Sequence, residues 1–399
     1  MNKLLNISML AVTLLAACQL QPKEEPLEKM IARGLEASTR QALSMAEELE
    51  QQEGRLPKTI KDGKLETSNC YWWCSGFFPG ELWYLYENNP TPELKKYAEL
   101  FTARLEKVQY VTNNHDVGFM LNCSYGNGYR ITQNPAYKEV LTTGASSLST
   151  RFNPLIQAIR SWDNTNGGKW QYPVIIDNMM NLELLTWASK ATGDNRFRDI
   201  AVTHANTTMK NHFRDDYSSY HVVSYDTITG QAHVKMTHQG YSDESAWARG
   251  QAWGLYGYTM MARETGKPEY LAQARHIADF LIHHPNMPAD KIPYWDFNAP
   301  DIPNTPRDAS AGAIMASALL ELSQLDKGEK AEEYRNFAIR QLRSLSSPEY
   351  LAQQGTNCNF ALMHSTGHLP GNSEVDVPLS YADYYYVEAL MRLKRLNDK

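Results

Sequence analysis

The residue types suited to chemistry fall at the starts of apolar segments. Pro173-Val174-Ile175-Ile176-Asp177-Asn178-Met179-Met180-Asn181 is an apolar run that ends in an acid and passes into a helix. Met180, Leu184, Trp187, Ala188 and Ala191 recur at helical spacing, and Gly193-Asp194-Asn195 stops the pattern. Asp177 therefore stands near a helix N-terminus, where the helix dipole favours negative charge. Taken alone it reads as an N-cap. It is not alone. Trp72-Trp73-Cys74-Ser75-Gly76-Phe77, Asn114-His115-Asp116-Val117-Gly118-Phe119, Trp247-Ala248-Arg249-Gly250-Gln251-Ala252-Trp253 and Tyr381-Ala382-Asp383-Tyr384-Tyr385-Tyr386 open other apolar segments in the same way. Acids and a histidine are the residue types of proton transfer. Each motif alone has a structural reading, as a cap, a surface pair or a packed core residue. Five in register at one end of a fold are hard to explain by packing.

The elements that must position these residues alternate in character. Segments 28–52, 92–108, 136–149, 196–212, 268–283 and 330–345 read as amphipathic helices, and Pro92 and Pro268 mark helix starts. Segments 77–88, 117–125, 178–192, 249–265, 309–325 and 381–395 read as apolar, aromatic helices. Strand signals are few, with Val222–Ser224 and Ala232–Met236 a hairpin around Thr229-Gly230. Alternating apolar and amphipathic helices are arranged most economically as an inner and an outer ring. The expected fold class is all-α, an (α/α)6 barrel, whose inner-helix starts face a central cavity. A helical-repeat solenoid is the structural alternative, but the inner-helix spacing varies too much for a strict repeat.

The 399 residues suffice for one large domain or two ordinary ones, and the hydrophobic content of 42% with 21% charged residues is that of a globular protein. The 23 Tyr and 9 Trp occur largely in short clusters, which suits a carbohydrate-lined cleft and equally a large helical core. A net charge of −6 without a basic tract argues against nucleic acid as a partner. Lys3, the apolar run Leu4–Leu15 and Leu15-Ala16-Ala17-Cys18 resemble a bacterial lipoprotein signal with Cys18 as the lipidated residue. The expected organisation is a signal peptide over 1–17, a tether over 18–27 and a single catalytic domain over 28–399. The expected location is membrane-anchored, periplasmic or outer-membrane. Cys70, Cys74, Cys123 and Cys358 lack zinc-site spacing and read as free, buried thiols.

From about Trp72 to Leu393 the chain resembles the unsaturated glucuronyl hydrolases, bacterial enzymes that act on oligosaccharides left by polysaccharide lyases. The motifs that carry the resemblance are His115-Asp116-Val117-Gly118-Phe119, Ile176-Asp177-Asn178-Met179-Met180-Asn181, Arg249-Gly250-Gln251-Ala252-Trp253 and Asp383-Tyr384-Tyr385. The family fold is the (α/α)6 barrel. The resemblance implies that Asp177 is the general acid/base and Asp116 the second catalytic carboxylate. It implies substrate contacts from Trp73, His115, Trp162, His221, Gln239, Arg249 and Trp253, with the tryptophans giving flat faces to sugar rings. It implies no metal and no organic cofactor, and an unsaturated disaccharide or oligosaccharide as partner. The implied reaction is hydration of the C4=C5 enol ether of a non-reducing-end uronate, which releases that sugar. Family members that prefer sulfated fragments carry a Ser-x-x-Ser-x-Lys segment. The corresponding stretch here, Leu362-Met363-His364-Ser365-Thr366-Gly367, keeps only the second Ser and lacks the Lys, with His368 nearby. Preference for a 6-sulfated hexosamine is therefore not expected. Two other readings stand beside this one: an unsaturated rhamnogalacturonyl hydrolase acting on pectin fragments, and a non-catalytic glycan-binding lipoprotein.

Overall fold

A computed structural model describes residues 24–398. Cys18 and the signal segment lie outside the described residues. The first described elements are α1 (Leu27–Glu50) and the hairpin β1 (Leu56–Lys61) and β2 (Lys64–Ser68). Next come α2 (Phe77–Asn88) and α3 (Pro92–Ala103). The next inner position is composite: α4 (Val117–Leu121), a π-turn at Asn122–Gly126 and α5 (Asn127–Thr132), followed by α6 (Pro135–Ser149). Short strands β3 (Phe152–Asn153) and β4 (Ala158–Ile159) lead to β5 (Tyr172–Ile175), a 3-10 turn at Ile176–Asn181, α7 (Leu182–Thr192) and α8 (Asn195–Asn211). Strands β6 (Val222–Tyr225) and β7 (Ala232–Met236) precede α9 (Ala248–Thr265) and α10 (Pro268–His283). The chain finishes with α11 (Ala309–Leu325), α12 (Lys330–Leu345), the hairpin β8 (Ser365–His368) and β9 (Ser373–Val377), and α13 (Ser380–Asn397).

The two classes of helix differ in which faces they bury. In α1 the buried positions are Met30, Ile31, Gly34, Leu35, Ser38, Gln41, Ala42, Met45, Ala46 and Leu49, one stripe at helical spacing. In α9 every residue from Ala248 to Ala262 is buried. A helix buried all round must lie inside, and one with a single apolar stripe must cover it. Accordingly α2 packs on α13 and on the π-turn and α5 of the second inner position, α13 on α11, α11 on α9, α9 on α7 and α7 on α4, closing an inner ring. Helices α1, α3, α6, α8, α10 and α12 lie against it from outside. The all-α, (α/α)6 barrel expectation describes this architecture.

The strands are additions at one mouth. The hairpin expected at 222–236 forms, and β6 also pairs antiparallel with β5, Ile175 opposite Val222. The hairpins β1–β2 and β8–β9 were not expected, and β1 lies against β9. Because inner and outer helices alternate, all six inner helices run the same way and present their N-termini at the mouth that carries these strands. The dipoles of those helices make that mouth favourable to anions.

Candidate active site

Asp177 is delivered by a strand. β5 ends at Ile175, the Ile176 N–H donates to the His221 carbonyl at 3.0 Å, and the backbone then tightens into the 3-10 turn. The Asp177 side chain makes no capping bond there, so the N-cap reading gives way to a carboxyl facing the cavity. Its Oδ2 lies 3.7 Å from His221 Nε2. His221 Nδ1 accepts the N–H groups of His238 and Gln239, both at 3.1 Å, so the neutral ring carries its proton on Nε2, toward Asp177. Burial, with the nearby His238 and Arg249, holds His221 well below its usual pKa and therefore neutral. Burial raises Asp177 to about 7; the Arg249 charge opposes the rise and the Asp116 charge adds to it.

Asp116 repeats this arrangement. It precedes α4 without capping it, and its N–H donates to Asn114 Oδ1 at 2.9 Å. Asn181 Oδ1 accepts the Phe119 N–H at 2.8 Å, which orients the amide so that Nδ2 faces His115 Nδ1 at 3.4 Å. His115 Nε2 then faces Asp116 Oδ1 at 3.2 Å. Burial drives His115 down to about 3, so this ring is neutral too. Burial raises Asp116 to about 7, against the pull of Asn114, Arg151 and Asn181. The elements bearing the two acids touch at Gly118, where a Cβ would lie 2.4 Å from the Asn181 Cα. Only glycine allows that approach.

The remaining expected site residues divide into three groups. Trp73, Trp162, Gln239 and Arg249 line one cleft of about 240 Å³ together with Asp116 and Asp177. Trp73 packs edge-on against Phe77 and Phe119, and Trp162 lies tilted on Trp170. Gln239 Nε2 donates to the Gly367 carbonyl at 3.2 Å. His115 and His221 sit behind the acids rather than on the cleft wall, where they touch the carboxyls. Trp253 is fully buried, packed against Phe119 and Tyr385, and offers no face to a sugar. Its buried indole N–H makes no hydrogen bond in the structure and lies near Asp177, whose ionised form it favours. Arg249 also differs from a free carboxylate clamp. Its Nη1 donates to Asp308 Oδ2 at 3.0 Å and the Thr366 carbonyl at 2.6 Å, and its Nη2 to the Gly367 carbonyl at 2.5 Å. The Nε edge is left without a partner.

No family model matches the chain. An unsaturated glucuronyl hydrolase of Formosa agariphila is 49% identical over 325 residues, 81% of this chain and 80% of its own. One from Bacillus sp. strain GL1 is 32% identical over 332 residues, 81% of this chain and 86% of its own. This chain belongs to the unsaturated glucuronyl hydrolases. An unsaturated chondroitin disaccharide hydrolase of Streptococcus agalactiae is 33% identical over 326 residues, 80% of this chain and 81% of its own. A crystal structure of an unsaturated glucuronyl hydrolase specific for heparin superposes with a TM-score of 0.90 at 49% identity, covering 93% of this chain and 99% of that one. The Bacillus sp. GL1 enzyme superposes with a TM-score of 0.85 at 29% identity, covering 93% and 97%.

This glucuronyl hydrolase builds its cleft from more residues than the sequence motifs indicated. Lys58, Trp72, Ile175, His238, His368, Ser373, Glu374 and Tyr381 also line it. Lys58 comes from β1 and Glu374 from β9, and they meet at the rim at 3.2 Å, with Glu66 3.0 Å from the same ammonium. Asp62-Gly63 between two short extended runs was a usable hairpin signal for β1–β2. Nothing in the sequence joined it to residue 374. Of the four cysteines among the described residues, all free, Cys74 and Cys123 are buried, whereas Cys70 and Cys358 are only half-buried.

Proposed function

We propose that this chain removes the 4,5-unsaturated uronic acid from the non-reducing end of lyase-generated glycosaminoglycan oligosaccharides, with Asp177 as general acid/base and Asp116 as its partner carboxyl. The observation that carries the residue roles is that both acids line one cleft and both are raised to about 7. A carboxyl that keeps its proton near neutral pH can protonate carbon C4 of an enol ether. The C4=C5 electron pair takes the Asp177 proton, and cationic character develops at C5 and the ring oxygen. Asp116, when ionised, stabilises that charge. The Asp177 carboxylate then takes a proton from water as its oxygen bonds to C5. The resulting hemiketal opens to a ketone, the ring oxygen leaves C5, and the sugar at C1 is lost as the rearranged acid departs. Arg249 and Gln239 place positive charge and an amide where the uronate carboxylate would lie, and the inner-helix N-termini add to the attraction.

The rim supports an unsulfated or lightly sulfated hexosamine next to the scissile bond. Lys58 is the cation there, and it is already bracketed by Glu66 and Glu374. Heparin specificity of the 49%-identical relative makes heparin-type lyase products the first substrates to test. The decisive experiment incubates the protein with unsaturated disaccharides from heparin, chondroitin, hyaluronan and pectin lyases and follows loss of the ultraviolet absorbance of the conjugated double bond. Turnover of glycosaminoglycan disaccharides that Asp177→Asn and Asp116→Asn abolish is expected. Turnover of the pectin product alone, or of none, would overturn the reading.

We also infer lipidation at Cys18 and membrane anchorage from the signal pattern. Cys18→Ala should shift the protein from the membrane to the soluble fraction; unchanged fractionation would refute it.

A further inference from the structure

One inner helix, α11, opens on an acid that none of the sequence motifs contains, Asp308. Asp308 gives one oxygen to the helix and one to the site. Its Oδ1 caps α11, accepting the Ser310 N–H at 3.1 Å and the Ser310 hydroxyl at 2.5 Å, and it also takes the Thr366 N–H at 3.4 Å. Its Oδ2 lies 3.0 Å from Arg249 Nη1, and the two side chains are 0% and 1% exposed. The guanidinium lies over the rings of Trp247 at 4.5 Å and Tyr381 at 5.4 Å, which fixes its plane. An arginine has five N–H donors. Here three are committed, to Asp308 and to the Thr366 and Gly367 carbonyls. The other two, on Nε and Nη2, share one edge, and Nε has no partner. That edge is the pair of donors that takes a carboxylate side-on.

We propose that Asp308 is a positioning residue for this reaction: it holds Arg249 so that the opposite edge meets the uronate carboxylate, and it screens Asp177 from the arginine's charge. The proposal rests on the reaction proposed above. The acidic groups that face Arg249 are Asp308 at the start of α11, Asp177 on the 3-10 turn, Glu374 on β9 and the Tyr381 phenol on α13. His221 and His368 also feel its charge, and burial lowers both imidazoles. Glu374 is committed to Lys58 at 3.2 Å, and burial keeps Tyr381 a neutral phenol. Of these groups Asp308 alone hydrogen-bonds the guanidinium. Asp177 itself faces Arg249, Asp116 and His221. Burial raises it and the Arg249 charge pulls the other way. Without the charge of Asp308 that pull grows, and Asp177 gives up its proton at lower pH.

Asp308→Asn tests the charge and spares the cap, because asparagine caps a helix as well as aspartate does. With an unsaturated disaccharide as substrate, the alkaline limb of kcat/KM should move to lower pH by about one unit. KM should rise about threefold or more at about pH 5.5, where Asp177 keeps its proton in both proteins. A merely structural loss lowers activity alike at every pH; a limb that stays in place overturns the proposal. Infrared difference spectra of the Asp177 carboxyl, referenced to Asp177→Asn, follow the same titration without substrate. The midpoint should fall by about one unit in Asp308→Asn, and an unmoved midpoint overturns the screening. A shifted midpoint in a protein whose wild type turns over no substrate would reject the reaction instead and uphold the link from Asp308 to Asp177. If Asp308→Asn does not fold, Asp308→Asn combined with Arg249→Gln removes both charges. Its Asp177 midpoint should then lie within about half a unit of wild type. A larger rise means that Arg249 acts on Asp177 unscreened, and it too overturns the proposal.

Discussion

The two mouths of the barrel enclose carboxyl groups to the same degree and treat them oppositely. At the N-terminal mouth the Asp116 and Asp177 side chains are 11% and 12% exposed, and at the C-terminal mouth Glu321 is 14% exposed. Burial pushes all three up. At the first mouth the partners are neutral imidazoles, and Arg249 is spent largely on Asp308 and two carbonyls, so both acids stay near 7. At the second mouth Arg392 and Arg263 overcome the burial of Glu321 and hold it below the usual carboxylate range. There Arg392 lies 2.9 Å from Glu321, Arg263 2.5 Å from it, and Glu388 accepts from Tyr84, Tyr256 and Ser317. Glu183 shares Arg263 but faces further acids, and burial leaves it raised. Enclosure alone does not make a proton donor. A reactive acid needs enclosure without a dedicated cation. The large cavity at the second mouth, about 700 Å³, is accordingly a paired network and not a second reaction centre.

This contrast can be broken in five ways, taken from the largest effect to the smallest. Asp177→Asn should lower kcat by about 10²–10⁴-fold, measured by the loss of double-bond absorbance; a fall of less than tenfold would remove its assigned role. Arg392→Met, at the other mouth, should destabilise the fold by about 3–5 kcal/mol in denaturant titration, while the folded fraction retains near-normal kcat. Glu321 has a depressed folded-state pKa, so the stability it adds is present above its unfolded value and fades as the pH drops through the folded one. The cost of Arg392→Met should therefore shrink in acid.

Asp177 carries the opposite sign. Its folded pKa of about 7 lies above the unfolded value, so ionising it costs stability progressively from about pH 4 to 7 and fully above. Asp177→Asn should thus stabilise the protein by on the order of 1–3 kcal/mol at pH 8 and little at pH 4, read from thermal melts. In wild type, kcat/KM should decline as pH rises past about 7, where the carboxyl pair loses its last proton. The smallest effect on activity belongs to Trp253→Phe, which keeps an aromatic ring between Phe119 and Tyr385 but loses part of its packing and deletes the N–H near Asp177. It should reduce kcat of the folded fraction about fivefold and lower the melting temperature by the packing lost.

The ring of helices was legible because its two classes differ in composition all the way round, as α1 and α9 illustrate. Boundaries were less so. The second inner position was read as 117–125 but runs on through a π-turn to Thr132, and the segment read as a helix from 178 begins as a 3-10 turn. Local hydrophobic spacing does not register such changes of pitch. The acids were legible from their position at helix starts. The Arg249–Asp308 pair, the N–H role of Trp253, and the meeting of Lys58 with Glu374 were not. Each depends on which distant segments share a mouth, and that is a property of the closed ring.

Helix α13 both seals that ring between α2 and α11 and sets Tyr381 in the cleft wall. A chain still emerging from the ribosome can stack its earlier hairpins, but it keeps an uncovered apolar flank along α2 and α11 until α13 arrives. The last helix is thus a clasp: whatever delays its docking leaves a sticky, inactive arc, and catalytic competence comes in one step at the close of folding.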